Sequence, residues 1–150
     1  MKLYVIDTNA LLSFVTDRHP GQQAVMATIF EQVSAARAEV LCPQNVIAEF
    51  VYVMETVYRQ PKTSIRSILS DFMATPGISI MDKADFSAVF SLWPDTFDDF
   101  GDAIVAVCAQ ATKGASVVTF DRPLMRRLKT AVTNLVAASS IGSGQRDFAP

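Results

Sequence analysis

Four acids in this 150-residue chain stand where their side chains could do chemistry. Asp7 follows the apolar run KLYVI and opens DTNALL. Asp102 comes after Asp98, Asp99 and Gly101 and leads into AIVAVCAQA, and Asp121 ends TFD before Arg122-Pro123. Glu49 differs, since it lies inside VIAEFVYV on a helical stripe with Asn45, Tyr52 and Thr56. Each acid also has an ordinary structural role. Asp7, Asp121 and the pair Asp99/Asp102 hold helix-cap positions, where a carboxylate accepts from free backbone N–H groups at the positive end of the helix dipole. Glu49 reads equally well as part of a solvated stripe.

Together the acids allow more. Carboxylates gathered on one rim repel one another unless they share a proton or a cation neutralises them. A hard divalent ion such as Mg²⁺ accepts a few carboxylates and keeps waters and phosphate oxygens in its shell. Such a site can activate water and stabilise charge on a phosphodiester undergoing in-line displacement. Thr8, Asn9 and Thr119 stand close enough in sequence to orient ligands or waters from behind.

Composition removes the competing chemistries. There are two cysteines and one histidine, with no CxxC, no HExxH and no cluster of nitrogen and sulfur ligands for zinc. Cys42 and Cys108 lie among apolar residues, as reduced core thiols do, and His19 in DRHPGQ reads as a solvated loop residue. The six glycines form neither a dinucleotide fingerprint nor a phosphate-binding P-loop. With 13 Lys plus Arg against 15 Asp plus Glu, the chain is not held to nucleic acid by gross charge. No apolar run is long enough to span a membrane, and Asp7 interrupts what would be a signal peptide's apolar region, so the expectation is a soluble, cytoplasmic domain.

The elements that must position these acids follow from periodicity. Strands are expected at Lys2–Ile6, Glu39–Cys42, Ile78–Met81, Ser116–Phe120 and Asn134–Ala137. Helices are expected after Asp7, from Pro20 to about Arg37, from Pro43 to about Arg59 and from Pro61 to about Ala74. Further helices run from an Asp82 cap to near Trp93, from Gly101 to Lys113 with Gly114 as the stop, and from Arg122 to Lys129. The alternation implies an α/β fold, a three-layer α/β/α arrangement with a mostly parallel sheet of four to five strands. Residues 1–138 form the domain, and 139–150, without periodicity, reads as a flexible tail. In such sheets ligands gather beyond the carboxyl ends of the strands, and three of the four acids are expected at strand ends or helix starts on that rim.

VIDTNALLSFV, NVIAEF, DDFGDAIVAVCAQA and VVTFDR, in that order, resemble the motifs of the PIN domain, and particularly of VapC-type toxins from bacterial toxin–antitoxin pairs. The resemblance runs from about Tyr4 to Leu128. It implies that Asp7, Glu49, Asp102 and Asp121 form an acidic quartet binding Mg²⁺, or Mn²⁺ in its place, with Asp99 as a supporting acid and Asn9 and Thr119 as polar neighbours. It further implies an endoribonuclease acting on structured RNA such as transfer RNA, a small antitoxin as inhibitor, and a homodimer. RNA phosphates would then be met by Arg122, Arg126, Arg127 and Lys129. A second basic group, Arg59, Lys62 and Arg66, reads as a solvated helix face. Two alternatives stay open from the residues: a non-catalytic protein whose acids bind metal or a partner, and a phosphohydrolase of small substrates. Against the haloacid-dehalogenase form of the latter, TN follows Asp7 where a second Asp two residues on is wanted.

Overall fold

The computed structural model describes residues 1–131. In chain order the elements are β1 (Lys2–Ile6), α1 (Thr8–Val15), α2 (Pro20–Ser34), β2 (Ala38–Pro43), α3 (Gln44–Thr56) and α4 (Lys62–Ala74). They continue with β3 (Ile78–Met81), α5 (Phe86–Leu92), α6 (Phe100–Gln110), β4 (Ala115–Val118) and α7 (Arg122–Ala131). The four strands make one sheet in the order β3-β2-β1-β4, and every pairing is parallel. The expected three-layer α/β/α architecture is what forms. The fifth strand expected over Asn134–Ala137 and the tail from Ser139 lie outside the described residues.

Parallel strands between helix layers lose access to water on both faces, and β1, β2 and β4 are apolar accordingly. Val5 and Ile6 of β1 and Val117 and Val118 of β4 are buried, joined by Val40 and Cys42 of β2. Around them pack Leu11, Met26, Ile29, Phe50, Val89, Ala106, Leu124 and Leu128 in one continuous core. Both cysteines are free and buried, as expected, and burial pushes the Cys42 thiol up to about 12.

Three local expectations are refined. Asp82 does not cap the fifth helix: α5 begins at Phe86, and Asp85 caps it, accepting from Ser87 N at 3.0 Å and Ala88 N at 3.3 Å. Both acids stand just ahead of the apolar helix, and the one next to its first full turn takes the free N–H groups. β2 extends through Pro43, which puts the start of α3 at Gln44. His19 is exposed but not idle, since its Nδ1 accepts from Gln22 N at 3.1 Å and caps α2.

This topology sets the site. β1 is followed in the chain by β2 on one side, while its other neighbour is the late strand β4. The direction of winding reverses at that boundary, and the carboxyl ends of β1 and β4 open onto a crevice there. Asp7 N donates to Val118 O at 3.3 Å, locking the two strand ends together.

The turn into β3 depends on Gly77. Its φ is +86°, its carbonyl accepts from Val40 N at 2.8 Å, and a Cβ there would lie 2.8 Å from Val33 Cγ1. Gly114 also has positive φ, +79°, but nothing lies within 4 Å of the position a Cβ would take. Gly77→Ala is therefore expected to cost about 2–4 kcal/mol, strain plus clash, and Gly114→Ala about 1–2 kcal/mol of strain alone. The midpoints of urea unfolding of the two variants check the difference.

Candidate active site

Asp7 is the innermost of the acids, only 4% exposed. It caps α1, with Oδ1 accepting from Ala10 N at 2.7 Å, while Oδ2 accepts a short hydrogen bond from the Thr119 hydroxyl. The Thr119 oxygen in turn accepts from Asp121 N at 3.1 Å. One buried hydroxyl thus ties the acid after β1 to the acid after β4. Asp121 caps α7 through Oδ1, which accepts from Leu124 N at 2.8 Å.

Glu49 arrives from α3 on the other side. It is exposed, and its Oε2 accepts from the Thr8 hydroxyl at 2.8 Å. One oxygen of its carboxylate is thereby turned toward the start of α1. Asp102 lies in the first turn of α6, half-buried, and Asp99 caps that helix by accepting from Asp102 N at 2.9 Å. The five acids come from four separate parts of the chain.

Electrostatics show that they share one region. Burial pushes the Asp7 carboxyl up to about 6, against the pull of its hydrogen bonds, and the charges of Asp121 and Glu49 add to the rise. Asp102 is pushed up to about 7, first by burial, then by Asp99, Asp121, Asp7 and Glu49. Nothing around Asp102 lowers it. Two carboxyls poised near neutrality by burial and then by their neighbours' charge mark a functional-site candidate.

The donor set suits a hard cation. Every charged group on the rim offers carboxylate oxygen, the nearby polar atoms are hydroxyls and amides, and the thiols are in the core. Among the described residues no three His, Cys, Asp or Glu side chains are already gathered into a metal cage. A cation would therefore have to draw these carboxylates closer together than they stand here.

Sequence reasoning misses two residues here. Asn45 of α3 donates from Nδ2 to Gly101 O at 3.4 Å, and its buried Oδ1 finds no partner among the described residues. A Cβ on Gly101 would lie 3.1 Å from Asp99 Oδ1, 3.4 Å from Asn45 Nδ2 and 3.7 Å from Glu49 Oε2. Glycine at this helix start lets α3 and α6 bring their acids close. The available signal is a poor helix former in the first turn of an otherwise strong helix.

An aromatic group steadies the acidic segment. Phe100 stacks with Phe86 and Phe90 at centroid distances of 6.2 and 6.3 Å, and Trp93 meets it edge-on at 5.1 Å. Trp93 Nε1 also donates to Asp98 O at 3.0 Å. Phe50 and Tyr58 are core-facing, the former fully buried.

The basic residues do not all remain free. Arg122, Arg126 and Lys129 lie at helical spacing on one exposed stripe of α7. Arg127 instead pairs with Asp98 at 2.7 Å. In the second basic group Lys62 pairs with Glu55 at 3.1 Å, as a solvated helix face allows. Asn9 presents its Oδ1 to Arg18, at 3.4 Å from both terminal nitrogens.

The family model described as "PIN domain" matches residues 4–129. The fold is similar to that of PAE2754 from Pyrobaculum aerophilum, with a TM-score of 0.63 and 16% identity over 95% of this chain and 94% of that one. It is also similar to VapBC2 from Rickettsia felis, solved bound to a DNA fragment from its promoter (TM-score 0.60, 17% identity, 90% and 96% covered). VapBC-1 from nontypeable Haemophilus influenzae matches at a TM-score of 0.61 with 15% identity and the same shares, 90% and 96%. No curated protein sequence is a significant match. Because the family model spans most of the length and takes in all four rim acids, the chain belongs to the PIN-domain family.

Proposed function

We propose that the chain is a divalent-metal-dependent endoribonuclease, the toxin of a toxin–antitoxin pair, with Asp7, Glu49, Asp102 and Asp121 as the ligands of Mg²⁺ or Mn²⁺. One observation carries the reading: acids from four parts of the chain face one strand-end rim, where burial first, and then the charge of the neighbouring acids, pushes Asp7 and Asp102 up to about 6 and 7. A structural role does not call for that repulsion, and a cation relieves it. Once bound, the ion supplies a Lewis acid that makes water nucleophilic near neutral pH and offsets charge growing on the phosphodiester.

The chain's own groups do the positioning. Ala10 N and the Thr119 hydroxyl hold the two oxygens of Asp7, and Thr8 restrains Glu49. Asp99 fixes the turn that carries Asp102 and adds its charge to the cluster. Asp121 uses one oxygen to cap α7, leaving the other for the site. Arg122, Arg126 and Lys129 supply phosphate contacts from α7, and RNA that reaches Arg127 must displace Asp98.

The wider setting belongs to the same proposal. The sequence resemblance to VapC toxins and the fold shared with two VapBC structures support a small antitoxin partner, structured RNA such as transfer RNA as substrate, and pairing with a second copy. Cytoplasmic action follows from such a substrate. No helix among the described residues is long and apolar enough to cross a membrane.

Asp7→Asn removes a charge from the centre of the rim while keeping an oxygen for Ala10 N. Cleavage of total cellular RNA is expected to fall by at least about a hundredfold, ~3 kcal/mol in transition-state stabilisation. The wild type should give discrete fragments with Mg²⁺ or Mn²⁺ and none with EDTA. Equal cleavage by the variant overturns the assignment.

Stability should follow the same charges. Asp7 and Asp102 titrate higher folded than unfolded, so the folded state holds more protons. Their contribution is complete below about pH 4 and is lost as pH rises through about 6 and 7. The metal-free protein should thus lose stability across that window, and Asp102→Asn should regain roughly 1–2 kcal/mol at pH 8. Mg²⁺ or Mn²⁺ should raise the Tm more at pH 8 than at pH 5, where protons compete for the same oxygens, and should raise it little in Asp102→Asn. Calorimetric scans at the two pH values test both statements, and a metal effect independent of pH contradicts them.

A further inference from the structure

Next to the acidic rim lies a place of opposite character. A cleft of about 400 Å³ is lined by Asn9, Arg18, His19, Gln22, Phe120 and Asp121. Asp121 belongs to both cleft and rim, and Asn9 stands two residues from Asp7, so the two places are continuous.

Arg18 brings the fixed positive charge to this cleft, and its guanidinium is aimed. Nε and Nη2 donate to Ser13 Oγ at 3.1 and 2.9 Å, and Nη2 donates to Asn9 O at 2.9 Å. Nη1 and Nη2 reach Asn9 Oδ1 at 3.4 Å. Every one of these acceptors is neutral. Asp17 adjoins Arg18 in sequence and Asp121 lines the same cleft, yet neither pairs with it. The ion pairs among the described residues are Lys62–Glu55 and Arg127–Asp98. The result is an exposed, oriented cation with an Nη1 N–H still free and no carboxylate partner among the described residues.

The rest of the lining fits an anion beside an apolar group. His19 spends Nδ1 on Gln22 N, which leaves Nε2 as the proton-bearing nitrogen of the neutral ring. The half-buried ring of Phe120 contributes an apolar wall against which a ribose or base can rest. The free Nη1 N–H can give a phosphodiester oxygen one charge-assisted hydrogen bond.

We infer that this cleft holds the RNA phosphate next to the scissile one, with Arg18 as the cation that binds it. The inference rests on the nuclease reading of the rim. It deepens that reading by fixing where the strand runs, from the acids across Asp121 toward the α1–α2 connection. The strand's polyanionic backbone is repelled by the carboxylates, and an unpaired cation at their edge gives it a place to anchor.

The test separates the two ideas. Wild type, Arg18→Ala and Arg18→Lys are assayed for cleavage of fluorescein-labelled bulk transfer RNA in Mg²⁺. The same RNA is titrated by anisotropy against Asp7→Asn and Asp7→Asn/Arg18→Ala over a range of KCl, and Tm is recorded for every variant. Arg18→Ala is expected to raise KM about tenfold while kcat changes less than about threefold, and Arg18→Lys to recover part of the loss. In the Asp7→Asn background it should weaken binding and reduce the salt slope by about one. Unchanged KM, affinity and salt slope overturn the inference, as does a loss of affinity that tracks a lowered Tm. Cleavage without any Arg18 effect sinks this inference alone. Arg18-dependent binding by a wild type that never cleaves sinks the nuclease reading and leaves the anchor standing.

Discussion

Like-charge repulsion at the carboxyl ends of β1 and β4 is the constraint to which the surrounding structure answers. Asp7 is buried almost completely, with Glu49, Asp102 and Asp121 close enough for their charges to act on it or on one another. Water alone cannot screen a group so enclosed, so the protein supplies fixed dipoles. Asp7, Asp99 and Asp121 each accept from the first turn of a helix, where the macrodipole favours negative charge. The Thr119 hydroxyl joins two of the three. Structural cap and chemical ligand are consequently not competing roles here. A cap needs one carboxylate oxygen, and at Asp121 and Asp99 the second oxygen is left over for chemistry.

The same arrangement shows what the sequence could and could not convey. The strands, most helix starts and the acids at strand ends are legible because each depends on near neighbours: an apolar run, a capping residue, a proline or a glycine stop. The order β3-β2-β1-β4 depends instead on which strand lies beside which, and no local pattern encodes it. The cap of α5 is misplaced at Asp82 for the same reason, since two acids stand ahead of one apolar run and packing selects Asp85. Glu49 is the clearest case. Its stripe with Asn45 and Tyr52 matches a solvated helix face, and only Thr8, 41 residues earlier, shows that it turns toward the rim.

Charge partners are still harder to read. Arg127 looks like its neighbours on α7, yet it reaches Asp98 on the segment that precedes α6. That segment is held by a ring cluster and by the Trp93 indole, contacts which belong to the fold rather than to any run of residues. Arg18 gives no signal at all, because its distinction, no carboxylate partner among the described residues, is one that only three-dimensional placement reveals. Gly101 in the sequence is only a residue beside an acidic run, and its purpose, close approach of α3 to α6, becomes visible with both helices in place.

A small surplus of negative charge shapes how such a protein can engage a polyanion. With 13 basic residues against 15 acidic ones, no long-range field draws RNA in, and the rim itself pushes it away. Affinity must then come from a few cations at fixed positions and from neutralisation of the rim. The two are coupled, because a divalent ion on the carboxylates removes the repulsion that the basic groups would otherwise have to overcome. On the proposed reading, a backbone approaching a neutralised rim would find its cations in Arg122, Arg126 and Lys129 of α7 and in Arg18 of the cleft that Asp121 also lines. Selectivity for one place on a folded RNA follows more readily from that sparse set than from a broad basic face, since losing a single contact forfeits a large share of the binding.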